Sequence, residues 1–217
     1  MIEARPLQNR GDPFGELHAT AARGLFMGNR GGRFHRDDRT LGASRWSSRR
    51  WIICRLQFQG RRRDVWGRSY TELFFLDEPT ALAAGHRPCF ECRREAALAF
   101  CDAISADTRI RANAMDARLH AERLEGSSKR RHRLQCESLP DGAMIAVERR
   151  AYAVRGDSLW PWNFLGYGAP QRRPRGIVEV LTPPIALGAL LAGYRVRWAS
   201  GVQDPNRVDV NPATDGS

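Results

Sequence analysis

Lysine is nearly missing from this 217-residue chain: Lys129 is the only one, beside 34 arginines. Arginine richness alone can follow from codon composition. The formal net charge of +11 is the more informative quantity, because a protein without polyanionic partners gains little from such self-repulsion. Long apolar runs are also missing. The longest, "IALGALLAGY", is about half of what a membrane-spanning helix needs. The opening "MIEARPLQNRGDP" has no apolar core of a signal peptide. These features lead us to expect a soluble cytoplasmic protein with no membrane partner, nucleoid-associated if it binds DNA. Cysteine is sparse and odd in number, at five. Disulfides are therefore not expected, and metal binding, catalysis or burial must account for the thiols. No Gly-x-Ser-x-Gly and no carboxylate cluster for a two-metal nuclease occurs. "GNRGG" at 28–32 is too short for a P-loop and reads either as an anion-binding turn or as an ordinary one.

What is present suffices for a packed interior: 42% hydrophobic residues, with six Trp and nine Phe. Four regions follow from composition. Residues 1–44 are polar and rich in Gly and Arg, 45–137 hold the Cys-x-x-Cys and helical patterns, 138–200 are β-rich, and 201–217 form a polar tail expected to be disordered. Alternation between Trp46 and Arg61 puts Ile52, Cys54, Leu56 and Phe58 on one strand face and Trp51, Ile53 and Arg55 on the other. Tyr70–Leu76 reads as a second strand. Asp77 is placed to cap a helix with Pro79 in its first turn and Gly85 at its end. Further helices are expected from Pro88 to about Ser105 and over 112–125. "LTPPIALGALLAGYR" repeats the grammar of "LDEPTALAAGHR", with Thr182 as cap, Gly193 as terminator and Tyr194 where His86 stands. That correspondence makes His86 a packing ring. The fold class expected is α+β: a small α/β half, then a β-rich half with a late helix.

Cys89 and Cys92 make a Cys-x-x-Cys at a helix start, where free amides and the dipole favour thiolate. Two thiols supply half of a tetrahedral zinc site. The stretch "ALAAGHRPCFEC" resembles the second half of the zinc domain of the Ada-type DNA methylphosphotriester repair proteins. The shared pattern is a short helix, Gly, an aromatic ring, then Arg-Pro-Cys-x-x-Cys, and it covers residues 74–94. The resemblance implies Zn2+ held by Cys89 and Cys92 and a DNA partner in preference to RNA. That family's other pair lies upstream. Here Cys54 stands at a comparable distance, with Phe58 where a second thiol would be. Cys54 is thus either a ligand or a buried thiol, and His35 is a further candidate ligand, while Cys101 fits the apolar stripe of its helix.

"LHAER" supplies a competing constellation. Zinc nucleobase deaminases combine His-x-Glu with Pro-Cys-x-x-Cys. In that arrangement His120, Cys89 and Cys92 are ligands and Glu122 the proton shuttle for a metal-bound water. Its chain order here is reversed, and residues two apart in a helix interior point to different sides. The other reading leaves His120 and Arg123 solvated and Glu122 paired locally. Arginine runs at Arg49–Arg50, Arg61–Arg63, Lys129–Arg131 and Arg172–Arg173 suit phosphate contacts that carry no base readout. Trp160, Trp162 and Phe164 offer either stacking surfaces for bases or part of the core. Three functions follow: a zinc-containing DNA-binding protein of repair or processing, a zinc-dependent hydrolase of a nucleobase, and a zinc-stabilised protein-interaction module.

Overall fold

The computed structural model describes residues 5–62, 64–105 and 110–200. Arg63 and the expected disordered tail at 201–217 lie outside them. The first sheet is built from β1 (Gln8–Gly11), β2 (Leu17–Ala19), β3 (Phe26–Arg30), β4 (Trp51–Arg55), β5 (Leu73–Phe75) and β6 (Arg87–Pro88). Its spatial order is β2-β1-β5-β3-β4-β6. The Gly/Arg-rich segment 1–44 therefore contributes three of the six strands. Its composition concealed them because they are short and one ends on a buried arginine, Arg30.

β3 and β4 pair antiparallel from Phe26↔Arg55 to Arg30↔Trp51. β4 then pairs in parallel with β6 (Ile52↔Arg87, Ile53↔Pro88). Pro88 closes that edge, since a proline has no N–H to offer another strand. Strand alternation gives the sheet two different faces. Ile53 joins Phe26, Leu73 and Phe75 against Ala81 and Ala84. Cys54 points the other way, into a cluster with Met27, Cys89 and Cys92.

Helix α1 (Glu78–Ala83) starts as the local rules require: Asp77 Oδ1 accepts from the Thr80 N–H (3.1 Å). Gly85 ends it at φ 87°, with His86 N–H donating to Ala81 O (2.9 Å). Next come α2 (Arg94–Ile104), α3 (Ala112–Arg123) and a two-strand turn of β7 (Leu124–Glu125) and β8 (Ser128–Lys129). Helix α2 begins later than expected, because Arg87 and Pro88 are strand and Cys89–Arg93 form a turn.

The second sheet has seven strands: β9 (His132–Gln135), β10 (Met144–Val147), β11 (Arg150–Arg155), β12 (Ser158–Asn163), β13 (Gly166–Tyr167), β14 (Gln171–Arg172) and β15 (Ile177–Val180). Its order is β13-β12-β11-β10-β15-β9, with β14 beside β12. Helix α4 (Pro184–Leu191) follows and packs Ile185, Ala189 and Leu190 with Phe100, Met115 and Leu119 of α2 and α3. The late helix thus joins the helices of the first half, and the fold is α+β. The echo between α1 and α4 is real at the C-terminal ends. Gly193 has φ 94° and Tyr194 N–H donates to Ala189 O (2.9 Å), as His86 does to Ala81. At the N-terminal ends it fails. Thr182 Oγ1 accepts from Met144 N–H of β10 (2.8 Å) instead of capping. The cap arrives from α3, where the Glu122 carboxylate accepts from Ile185 N–H (2.6 Å).

Candidate metal centre

Register alone brings the third thiol to the other two. Pairing of Ile53 with Pro88 sets Cys54 beside Cys89, whose N–H donates to Ile53 O (3.0 Å). The turn after β6 then carries Cys92 to the same face. The three Sγ atoms lie within 4.8 Å of one another, and all three residues are buried. A tetrahedral zinc with Zn–S bonds of about 2.3 Å separates its sulfurs by about 3.8 Å, so the thiols lie within about an ångström of the spacing such an ion needs. Backbone amides already point at the sulfurs: Arg55 N–H donates to Cys92 Sγ and Glu91 N–H to Cys89 Sγ, each at 3.4 Å. Such N–H···S contacts orient metal thiolates and spread their charge.

The electrostatics describe one shared thiolate. Hydrogen bonds from the Cys54 and Cys92 thiols hold Cys89 far below its ordinary value, at about 2. Cys54 is pushed up by its bonds to Cys89 and Cys92 and by burial. At Cys92 the bond with Cys54 works downward, but Cys89 and burial outweigh it and the net direction is up. A divalent cation that displaces the remaining protons relieves this competition, which is why donor sets of this kind prefer soft metals. These residues fit a metal ion, with thiolate donors suited to zinc.

Among the described residues this is the one group of His, Cys, Asp or Glu arranged to hold a metal. His35 is not brought to it. Its Nε2 donates to Gly67 O (2.9 Å), its Nδ1 accepts from the Thr71 hydroxyl (2.8 Å), and the ring stacks on Trp66 (5.2 Å). Both nitrogens are committed, so His35 fastens the segment around Thr71. His120 and Glu122 are not assembled with the cysteines either. His120 Nδ1 accepts from Arg123 (2.9 Å), and burial together with Arg123 and Arg49 lowers its pKa. Glu122 pairs with Arg118 (2.8 Å) while it caps α4. Cys101 is core, against Met115 (Sγ–Sδ 4.0 Å), and Cys136 is buried in the second sheet's core.

The cationic candidates divide. Arg49, Arg50, Arg62, Arg130 and Arg172 are exposed; Arg61 is exposed but paired with Glu91 (2.5 Å), and Arg131 with Glu179 (2.8 Å). Arg173 turns inward to the carbonyls of Cys136 and Leu139. Lys129 also turns inward, to Ala83 O at the end of α1. These two hold loops together and are not surface phosphate contacts. Trp160 and Trp162 pack against the core of the second sheet, and Trp162 Nε1 donates to Thr80 Oγ1 (2.9 Å). Sequence reasoning left Arg123 solvated, yet it is 1% exposed, as is Arg30. The only local signal for either was its place at the end of a strand or helix.

Comparison of the chain with family models, curated proteins and solved structures finds no match.

Proposed function

We propose that this chain is a zinc-containing DNA-binding protein that acts in DNA repair or processing. The observation that carries the reading is the meeting of Cys54 with Cys89 and Cys92 at a sheet edge. Exposed cations cluster around it: Arg55 directly follows one ligand, Arg94 lies two residues after another, and Arg61 reaches the turn between the last two through Glu91. An ion there ties β4 to the turn and fixes the placement of these guanidiniums, which supply salt-dependent affinity for phosphates. The resemblance of residues 74–94 to Ada-type zinc domains favours DNA over RNA. Phe58 replaces the thiol that a four-cysteine site would use. Three thiolates leave the fourth position of a tetrahedral ion to a non-protein ligand.

Fluorescence anisotropy with a labelled DNA duplex tests the reading. If about six exposed arginines contact phosphates, log K falls with log salt at a slope of about −5. The double variant Arg49→Gln, Arg50→Gln then lowers the slope by about 2, and stripping zinc weakens binding. An affinity flat in salt, or none at low salt, overturns the reading in favour of a protein-interaction module.

A further inference from the structure

On the opposite face of β4 from the cysteines, three cations converge with no ion-pair partner among the described residues. The guanidiniums of Arg30 and Arg123 lie over the Trp51 ring, 4.0 and 3.8 Å from its centroid. Both residues are 1% exposed. With the half-buried Lys129 they line a recess in which the centre of a water-sized sphere has about 30 Å3 to move, and Phe14, Glu16, Arg45 and Trp46 line it too. Their hydrogen bonds go only to neutral acceptors. Arg30 donates to Gly15 O (2.7 Å) and Arg45 O (3.3 Å), and Arg123 to Gly85 O (3.0 Å), Arg49 O (2.9 Å) and His120 Nδ1. The Nε atoms of both arginines are buried with no hydrogen-bond partner, and so are both ring nitrogens of His86, which packs on Trp51 (5.1 Å).

The nearby carboxylates Glu16, Asp12 and Asp116 offset the group's charge only in part. Asp116 is held by both Nε and Nη2 of Arg87 (2.8 Å each), Asp12 is bonded to His18 (2.8 Å), and Glu16 is exposed at the rim. Among the described residues none forms an ion pair with Arg30, Arg123 or Lys129. Carbonyls satisfy N–H groups but bring no net charge, and stacking on one indole offsets only part of the repulsion. The strain registers in the acid–base chemistry: burial first, and the neighbouring cations second, lower Lys129 to about 7 and Arg123 to about 8. Burial lowers Arg30 to about 9, against the upward pull of Glu16 and Asp12.

We propose that this recess binds a phosphoryl group, held by Arg30, Arg123 and Lys129. Three cations call for an anion of more than one charge, and the planar forks of two guanidiniums match the oxygens of a phosphoryl group. A recess of this size excludes a base or sugar. The group is therefore inorganic phosphate or the terminal phosphate of a strand that continues outside past Trp46. The site does not depend on the zinc or duplex-binding reading, and loss of either leaves it in place.

Calorimetry of the full chain with inorganic phosphate tests it at about pH 7 and constant ionic strength, where the phosphate dianion is well populated and a bound anion holds Lys129 protonated. One site per chain is expected, with a Kd of about 1 mM or tighter. Lys129→Met, at a half-buried position, retains the fold by circular dichroism and weakens phosphate about tenfold or more. Arg123→Met does the same wherever it folds. Absence of saturable binding, or an unchanged Kd in Lys129→Met, overturns the site. A 5′-phosphorylated oligonucleotide that binds better than its 5′-hydroxyl form, with the preference lost in Lys129→Met, assigns the site to a terminal phosphate. Equal binding of the two oligonucleotides, with inorganic phosphate still bound, assigns it to the free anion.

Discussion

Replacing Cys54 by serine should abolish the contribution of zinc to stability while leaving the Cys-x-x-Cys intact. An ion stabilises a fold only so far as the folded chain binds it better than the unfolded one. Cys89 and Cys92 are neighbours on any chain, folded or not, so the pair alone discriminates little. Cys54 lies 35 residues upstream of Cys89, and joining them closes a loop whose entropy in the unfolded chain costs about 4 kcal/mol. The folded chain closes that loop through the β4–β6 register. With zinc about a thousandfold above its Kd, the stabilisation is also about 4 kcal/mol. For a chain of this length that is a rise in Tm of about 8–16 °C. The assay is thermal unfolding followed by circular dichroism, with zinc or with a chelator. Wild type should show the full shift and Cys54→Ser almost none. Cys101→Ser should start from a lower Tm, since its thiol is buried against Met115, yet keep the zinc-dependent shift. An equal shift in wild type and Cys54→Ser, or none in wild type, refutes the three-thiolate site.

Two other expectations rest on buried charge. Glu78 is held by Arg93 (2.8 and 2.9 Å), the Tyr194 hydroxyl (2.7 Å) and Arg197 N–H (3.0 Å). Glu78→Gln leaves Arg93 uncompensated and should cost about 3–5 kcal/mol in urea unfolding; a loss below about 1 kcal/mol would show that the pair is solvent-relaxed. Lys129 faces Arg123, Arg30, Asp12, Glu16, Arg45 and His86, and burial with the two nearest arginines lowers its pKa to about 7. Between that value and its unfolded value of about 10.4 the unfolded chain binds the extra proton, so stability rises with pH across this window. In phosphate-free buffer wild type should gain up to about 1.4 kcal/mol per pH unit relative to Lys129→Met, and parallel pH profiles would refute the assignment.

Legibility in the sequence followed the range of the interactions. Asp77 and Gly85 were readable because a cap and a left-handed terminator act within a few residues. The cysteine on the alternate face of β4 was readable because strand alternation is local. That Cys54 reaches Cys89 was one of two open readings, since the choice depends on a parallel pairing between β4 and a two-residue strand containing proline. His35 was a candidate ligand by residue type in a Gly-rich segment, whereas Thr71, 36 residues away, fixes it. Glu122 looked catalytic through the company of His120; its role at α4 is set by a contact 63 residues distant. Lys129 read as a phosphate contact and Arg123 as solvated because charge usually faces water, and only the closing of three segments around Trp51 buries Arg123 and half-buries Lys129.

Strand β4 is a wall with a site on each side: Cys54 faces the thiolate cluster, Trp51 the cationic recess. Side chains alternate with a period of two, so a slip of one residue would exchange the faces, turning the thiol toward the core and the indole toward the cysteines. One registration error would dismantle both sites together. The five-residue ladder with β3 and the two pairs with β6 are what prevent it, and substitutions in those flanking strands act on both chemistries without touching either ligand set.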